Sequence, residues 1–274
     1  MSGAGTAAER GYGRRLLEVV ENRELGAYRL LTVADGGPAA RPGQFAMIAA
    51  AERWGGGEDE RPHLARAFSV ALQGDGRTSF LLEDVGPGTR RLCEMGPGEG
   101  LWVLAPLGRG FQAPGEGRRA LLVGGGIGIA PLALLAGELA HAGMPASVLL
   151  GFRDGPRARG AELFEGAHVA TDDGSVGYHG LVTDLLAAEL ERDPHAVVYS
   201  CGPAGMLEGV RAMCEQRGVP AQLALEAGMA CGFGACYGCV VPRRGGGYLR
   251  VCVDGPVIDA AELDRVEAHA GAPE

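Results

Sequence analysis

Four of the seven cysteines in the chain lie close together near its carboxyl end. They are Cys231, Cys236, Cys239 and Cys252, and their spacing is C-x4-C-x2-C-x12-C. The four-then-two part of this spacing is that of plant-type [2Fe–2S] ligation. The residues between the first three cysteines include the small Gly232, Gly234, Ala235 and Gly238, which let backbone N–H groups approach the sulfurs and tune the potential. This cysteine window, residues 231–252, therefore predicts an iron–sulfur cluster with these four thiolates as ligands.

Three other interpretations of the cysteine window compete with a cluster. Structural zinc normally uses two C-x2-C pairs, and only one is present. Disulfides form in oxidising compartments, and residues 1–15 contain no apolar stretch of the length that a secretory signal needs. Buried free cysteines rarely bunch in this way. We expect the isolated Cys93 and Cys214 to be ordinary small hydrophobic residues.

A glycine-rich turn follows a short apolar strand in the segment LLVGGGIGIAP, residues 121–131. Its glycines are Gly124, Gly125, Gly126 and Gly128, and Pro131 stands where it can open a helix. Such glycines let a pyrophosphate lie against the backbone at a helix N-terminus, where the dipole favours negative charge. The pattern matches the dinucleotide fingerprint only in part, and alone it fits a tight strand-to-helix turn equally well. Its place between a strand and a helix favours a cofactor site.

Cys201, Gly202 and Pro203 follow another apolar strand, at the edge of the predicted sheet where ligands of such folds bind. The alternative is a turn that contains a buried cysteine. Nearer the amino end, Arg66, Phe68 and Ser69 belong to the tetrapeptide RAFS. The arginine could clamp a phosphate while the ring and the hydroxyl meet a flavin, although such residues on a strand are usually surface and core.

The turn Gly86-Pro87-Gly88-Thr89 could also donate N–H groups to a phosphate. A plain hairpin turn explains Gly88 and Thr89 equally well.

The elements that would position these residues fall into two patterns. Six short apolar runs between Arg14 and Leu107 predict an antiparallel barrel. After Arg119, strands alternate with helical stretches, which predicts a doubly wound parallel sheet. We therefore expect a β plus α/β protein with three domains: a β-barrel over residues 1–113 that carries the flavin motif, a doubly wound α/β domain over 114–222 that carries the nucleotide motifs, and a small [2Fe–2S] domain over 223–274.

The composition of the chain excludes some catalytic mechanisms and argues against some classes of partner. The chain has no lysine, so all 25 of its basic residues are arginine, which excludes lysine Schiff bases and P-loop lysines. The net charge of −9 and the dispersed arginines argue against a nucleic-acid partner. The segment 120–140 is apolar, but its glycines and Pro131 favour a strand, turn and buried helix over a membrane span. We expect a cytoplasmic protein with no membrane partner.

Taken in this order over nearly the whole chain, the motifs resemble those of the ferredoxin reductase superfamily. More narrowly, they resemble the electron-transfer subunits of type 1B dihydroorotate dehydrogenase. Arg66, Phe68 and Ser69 match the family's flavin motif R-x-[YF]-[ST], and Gly88 and Thr89 match its phosphate turn. The nucleotide loop and Cys201-Gly202-Pro203 match its pyridine-nucleotide motifs. The most specific match is at residues 226–239 and 251–257, where Ala227 and Gly228 replace the family's usual arginine.

The resemblance implies an NAD-dependent oxidoreductase subunit of pyrimidine biosynthesis, with FAD, a [2Fe–2S] cluster and NAD as cofactors. Cys201 would face the nicotinamide as a catalytic residue. A flavin is the converter that a two-electron nicotinamide and a one-electron cluster require. Dihydroorotate would be oxidised on a separate FMN-containing catalytic subunit, in a heterotetramer of two plus two chains, with much of the contact made from about Leu223 onward. The chain itself has neither the length nor the eight βα units of such a barrel.

Two other functions stay open on the sequence. One is the flavin and iron–sulfur subunit of a hydrogenase or of a ferredoxin:NAD(P)H transhydrogenase, which carries the same modules. The other is a zinc-stabilised nucleotide-binding module without redox activity. Arg153, Asp154, Arg157 and Arg159 follow the second strand of the predicted sheet and leave NAD and NADP undecided. The family resemblance favours NAD.

Overall fold

The computed structural model of the chain describes residues 13–55, 63–115 and 117–267. Residues 1–12, 56–62, 116 and 268–274 lie outside these ranges, so the predicted first and third domains are described only in part.

The amino-terminal third forms a closed barrel of six antiparallel strands in the order β1-β2-β5-β4-β3-β6. The strands are β1 (Gly13–Leu25), β2 (Tyr28–Ala34), β3 (Phe45–Ala50), β4 (Arg66–Gly74), β5 (Arg77–Leu82) and β6 (Gly100–Leu107). Apolar side chains that include Leu31, Ile48 and Phe80 fill the interior. The six predicted strands and the antiparallel barrel are confirmed. A short helix, α1 (Pro87–Cys93), lies between β5 and β6.

The next part is a parallel sheet with helices between its strands. In chain order the elements are β7 (Arg119–Gly125), α2 (Ala130–His141), β8 (Ala146–Phe152), α3 (Gly155–Ala158), β9 (His168–Thr171), β10 (Tyr178–His179), α4 (Val182–Arg192), β11 (Ala196–Cys201), α5 (Ala204–Arg217) and β12 (Ala221–Ala224). The chain builds outward from β7 through β8 and β9, then returns to β11 on the other side of β7. The point between β7 and β11 is therefore the switch point at which ligands of such sheets bind.

The apolar segment at 120–140 folds as the strand β7, a glycine turn and the helix α2. Among the described helices, none is both long enough and apolar enough to span a bilayer.

The carboxyl-terminal part contains a hairpin and one further strand. The hairpin is β13 (Val240–Pro242) with β14 (Tyr248–Arg250), and β15 (Val257–Asp259) pairs antiparallel with β12. Because β15 joins the sheet that β7 begins, the cysteine window is attached to that sheet by main-chain hydrogen bonds. The expected boundary between residues 222 and 223 falls inside β12, and the division into three domains stays a prediction.

The cysteine window also packs against the barrel. A Cβ added at Gly232 would lie 2.4 Å from Cγ of Met47 on β3. The Arg109 N–H donates to the Gly255 carbonyl, with 2.5 Å between nitrogen and oxygen. One buried cluster joins Phe45 and Met47 of the barrel to Cys239 and Cys252. The barrel, the parallel sheet and the cysteine window therefore meet in one region.

Candidate cofactor sites

Side-chain contacts join the cysteines of the window in pairs, Cys231 with Cys236 and Cys239 with Cys252. The sulfurs of Cys239 and Cys252 are 3.2 Å apart and both side chains are buried, whereas Cys236 is exposed. Burial raises the pKa of Cys231, but hydrogen bonds from the N–H groups of Cys236 and Phe233 outweigh it and lower that pKa to about 6. Burial and the neighbouring Cys239 raise the pKa of Cys252 to about 12, and Cys231 contributes to the same increase.

The backbone of the cysteine window is shaped around these sulfurs. Gly232 and Gly234 have φ of +80° and +86°, in the left-handed region that favours glycine. A Cβ at Gly234 would lie 2.7 Å from a methyl carbon of Val253, so a side chain there would push the loop apart. Thiols that accept hydrogen bonds from backbone N–H groups, as Cys236 and Cys239 do, are typical of iron–sulfur ligation. Within the described part of the chain, no three His, Cys, Asp or Glu side chains form a group that could hold a metal ion, so the role of the four cysteines as ligands stays a prediction.

The predicted flavin residues meet at one end of the barrel. The Arg66 guanidinium lies against Gly88, where an added Cβ would be 2.9 Å from Nε of Arg66. Arg66 Nη1 also donates to the Leu64 carbonyl over 2.6 Å. Phe68 lies two residues along β4 and packs against the barrel core, while Ser69 points to the opposite face of the strand. Arg66 and Gly88 are thus in contact, although 22 positions separate them in the sequence.

The segment Gly86–Thr89 is the beginning of α1 and not a hairpin turn. The Thr89 hydroxyl donates to the Gly86 carbonyl over 3.0 Å and accepts from the Val85 N–H over 2.9 Å. Its donor is therefore used within the turn. The N–H groups of Gly88 and Thr89 belong to the first helical turn, where the helix itself supplies no acceptor.

The two predicted nucleotide motifs lie against each other at the switch point. Gly124 is paired with Cys201 across β7 and β11. A Cβ at Gly128 would lie 2.6 Å from Cα of Gly202, and a Cβ at Gly125 would lie 2.9 Å from Cδ of Pro203. Gly126 has φ of +54°, and Pro131 lies in the first turn of α2. The close approach of the Gly202 backbone explains glycine at 128, and the left-handed φ explains glycine at 126.

Cys201 is buried at the end of β11. Burial is the main cause that raises the pKa of its thiol well above the ordinary value, and the carboxyl of Glu226 adds to the increase. Cys201 is therefore a neutral thiol at neutral pH. A buried thiol can line a nicotinamide site, but it is not poised as a nucleophile.

Glu226 is a site residue for which the sequence analysis predicts no role. Its side chain is exposed by surface area, yet burial by the surrounding protein raises the pKa of its carboxyl. The Glu226 carboxyl is thus in contact with water and is also closely surrounded by protein, as in a recess of the surface. Its position directly after β12, at the carboxyl edge of the sheet, is the signal by which the sequence could have marked it.

The residues that follow β8 form an ion-pair network. Arg157 Nη2 lies 2.9 Å from Oε1 of Glu83, and Arg157 Nη1 lies 2.6 Å from Oδ2 of Asp154. Asp154 also caps α3 by accepting from the Arg157 N–H. Arg159 pairs with Glu162, and Arg153 is exposed. Because Glu83 directly follows the barrel strand β5, its ion pair with Arg157 links the barrel to the parallel sheet.

Three aromatic side chains of the cysteine window are exposed. Phe233, Tyr237 and Tyr248 are 60%, 61% and 72% exposed. The Arg250 guanidinium carbon lies 5.4 Å from the centre of the Tyr237 ring. Exposed aromatic side chains are enriched in protein–protein contact surfaces.

Comparison with known proteins shows the family to which the chain is similar, first for its carboxyl-terminal part and then for most of its length. Residues 226–264 match the family model of the iron-sulfur cluster binding domain of dihydroorotate dehydrogenase B. Two curated relatives are both described as dihydroorotate dehydrogenase B (NAD(+)), electron transfer subunit. The protein from Bacillus caldolyticus is 40% identical over 81% of this chain and 86% of its own length. The protein from Geobacillus thermodenitrificans is 38% identical over 92% of this chain and 98% of its own length.

Solved structures show the same architecture. The structure of an NADH-dependent reduced ferredoxin-NADP oxidoreductase superimposes with a TM-score of 0.77 at 28% identity, and the match covers 92% of this chain and 91% of that one. Phthalate dioxygenase reductase superimposes with a TM-score of 0.61 over 93% of this chain and 96% of its own. At 16% identity, that second likeness shows the fold alone.

Proposed function

Since the chain belongs to the family of dihydroorotate dehydrogenase B electron transfer subunits, we propose that it carries electrons from a dihydroorotate-oxidising partner to NAD⁺. Its cofactors are FAD and one [2Fe–2S] cluster. The partner is the FMN-containing catalytic subunit, in a heterotetramer of two plus two chains. The reaction belongs to pyrimidine biosynthesis in the cytoplasm.

One observation carries this proposal. The cysteine window packs on β3 of the barrel through Gly232 and Met47, and β3 is the neighbour of the strand that holds Arg66 and Phe68. The same window joins the parallel sheet through β15. The residues proposed for the cluster, the flavin and the nucleotide therefore converge, as electron transfer between three centres requires.

Two separate groups of residues would bind FAD and the nicotinamide nucleotide. Arg66 and the N–H groups of Gly88 and Thr89 would bind flavin phosphate, and Phe68 would lie beside the flavin. Bound FAD would supply the exchange between hydride transfer and single-electron transfer. Gly124, Gly125, Gly126 and Gly128, with Pro131, would let the nucleotide pyrophosphate approach the backbone at α2.

At the nicotinamide end, Cys201, Gly202 and Pro203 would form the wall of the site. The neutral Cys201 thiol adds no charge there. Gly202 leaves space next to the Gly125 N–H, which would lie 2.9 Å from a Cβ at that position. These residues orient and enclose the reacting ring, and none of them needs to change its protonation state.

The exposed edge of the cysteine window is the proposed contact with the catalytic subunit. Cys236 is exposed, and so are the aromatic side chains of Phe233, Tyr237 and Tyr248 in the same window. Because electron transfer favours close approach, the partner would cover this edge.

A ferredoxin:NAD(P)H transhydrogenase or hydrogenase subunit is the second candidate. The observation in its favour is the 28% identity and TM-score of 0.77 to the NADH-dependent reduced ferredoxin-NADP oxidoreductase. Copurification with a dihydroorotate-oxidising chain separates the first candidate from the second. The visible spectrum, with iron, sulfide and flavin analysis, separates both from a zinc-binding module.

Cysteine substitution tests the proposal. Replacing Cys231, Cys236, Cys239 or Cys252 by serine should abolish the cluster and electron transfer from the partner, while NADH oxidation with dyes through FAD partly survives. The reason is that the proposed cluster lies on the partner side of the flavin. Cys214→Ser is the matched control, since Cys214 is buried on α5 outside the window. Full iron and sulfide content in all four variants would refute the ligand assignment.

A further inference from the structure

A tryptophan beside Arg66 has no part in the function proposed above. Trp54 lies in the turn after β3, and its ring packs in part against the barrel core. The Arg66 guanidinium carbon is 5.9 Å from the centre of that ring, within the range of a cation–π contact. The indole Nε1 is shielded from water and has no hydrogen-bond acceptor among the described residues. A buried donor without an acceptor is costly and calls for an explanation.

The turn that carries Trp54 is fastened to α1. Arg91 Nε donates to the Glu52 carbonyl over 3.3 Å, and Arg53 Nη1 lies 3.7 Å from Oε2 of Glu94. The first residues of the same helix include Gly88, against which Arg66 lies. The turn after β3, the strand β4 and the helix α1 thus carry Trp54, Arg66 and Gly88 respectively and hold them close together. Arg66 has the indole ring near it and the Gly88 backbone against it.

The chemistry of an acceptor for Trp54 follows from this arrangement. The Arg66 guanidinium carbon lies 5.9 Å from the centre of the indole ring, so an anionic oxygen placed between the two groups would pair with the arginine and accept a hydrogen bond from the indole N–H. A phosphate oxygen meets both conditions, and hydrogen bonds to charged acceptors are the strong ones.

We propose that Trp54 is a further FAD-binding residue whose indole N–H donates to the FAD diphosphate bound by Arg66. The inference rests on the proposed function, because it requires FAD at the Arg66 site. The ring would also cover Arg66 and shield its pairing with phosphate from water.

The test measures FAD binding to the flavin-free full chain. Trp54→Phe keeps a ring and removes the N–H, and it should weaken FAD affinity about tenfold or more. Trp102→Phe is the matched control, since Trp102 is the other of the two tryptophans and lies on β6 with Arg14 over its ring. Trp102→Phe should bind FAD like the wild type. Unchanged FAD affinity in Trp54→Phe would overturn the proposal.

A second measurement decides the matter if Trp54→Phe fails to fold. In Trp102→Phe, the single remaining indole N–H proton belongs to Trp54 and is visible by NMR. FAD should shift it downfield by formation of the hydrogen bond, and an unshifted signal with FAD bound would overturn the inference. Arg66→Ala distinguishes failure of the Trp54 proposal from failure of the flavin site. If Arg66→Ala loses FAD while Trp54→Phe retains it, only the role of Trp54 is refuted. Full FAD binding in both variants removes the flavin site proposed at Arg66.

Discussion

At the scale of single residues, Arg66 is the side chain on which the flavin site depends. Replacing it by alanine should lower FAD content, because a charge-assisted phosphate bond contributes about 1.5 to 3 kcal/mol. Flavin content after extensive dialysis measures this. Arg77→Ala at the exposed start of β5 is the control and should keep its FAD. Normal occupancy in Arg66→Ala would make Arg66 an ordinary surface charge.

Glu226 should make the stability of the flavin-free chain depend on pH. Burial raises the pKa of its carboxyl in the folded state, so the folded chain holds this proton more tightly than the unfolded chain. Stability is therefore lost as pH rises from the unfolded pKa of about 4.3 through the raised folded pKa. Glu226→Gln should be more stable than the wild type at neutral pH, and the difference should close in acid.

Denaturant midpoints measured between about pH 4 and pH 8 check this expectation. Glu165→Gln is the control, since Glu165 is an exposed carboxylate away from the sheet edge. A Glu226→Gln profile parallel to that of the wild type would show that Glu226 titrates alike in both states.

At the scale of secondary-structure elements, the contact between the turn after β7 and the end of β11 is the feature most sensitive to substitution. Gly128→Ala would place a Cβ 2.6 Å from Gly202 and push the two segments apart. We expect it to weaken NADH binding strongly while FAD content is kept. Gly137→Ala on α2 is the matched control, because an added Cβ there meets no atom within 4 Å. It should raise stability by roughly 0.5–1 kcal/mol. Equal NADH binding by both variants contradicts the assignment of the turn.

Most elements could be predicted because their signals are local. The six barrel strands have apolar runs between turn residues, and the apolar run of β8, Ala146–Phe152, is equally plain in the sequence. The helix α2 was recognisable from Pro131 and the apolar residues after it. The contact of Arg66 with Gly88 was not predictable from spacing, since closure of the barrel creates it.

The elements that the sequence did not reveal have weak or misleading local signals. The helix α1 begins with Pro-Gly-Thr, which is turn chemistry, and only tertiary contacts such as buried Arg91 make it helical. The strands β10 and β15 have two and three residues, too few for a period of hydrophobic residues. The pairing of β15 with β12 joins distant parts of the chain. Trp54 becomes a candidate only through its three-dimensional neighbour Arg66, whereas the place of Glu226 just after β12 is a signal that the sequence also contains.

At the scale of the whole molecule, ion pairs tie the three parts together. Arg157 of the parallel sheet region pairs with Glu83 of the barrel region. Arg244 of the hairpin turn lies 2.8 Å from Oε1 of Glu215 on α5, and Glu215 also pairs with Arg211. The Ala27 N–H donates to the Pro156 carbonyl over 3.1 Å. These contacts hold the proposed cofactor sites at fixed separations, which electron transfer between them needs.

The same network bears on the choice between NADH and NADPH. Arg157 is engaged by Asp154 and Glu83, and Arg159 is engaged by Glu162. Those two arginines are therefore committed to carboxylates, and an acidic residue after the second strand favours the ribose 2′-hydroxyl over a 2′-phosphate. The structure thus favours NAD where the local sequence was divided.

The isolated chain should therefore oxidise NADH with artificial acceptors and prefer it to NADPH by at least about tenfold, or ~1.4 kcal/mol. It should leave dihydroorotate untouched, because that oxidation belongs to the proposed catalytic subunit. Steady-state kcat/KM for both nucleotides, measured with and without the catalytic subunit, checks both expectations. Asp154→Asn should reduce the preference for NADH, since it removes the acidic residue that follows β8 and frees Arg157 in part. Arg192→Gln on the exposed end of α4 should leave it unchanged. Equal or better use of NADPH by the unaltered chain would favour the transhydrogenase alternative.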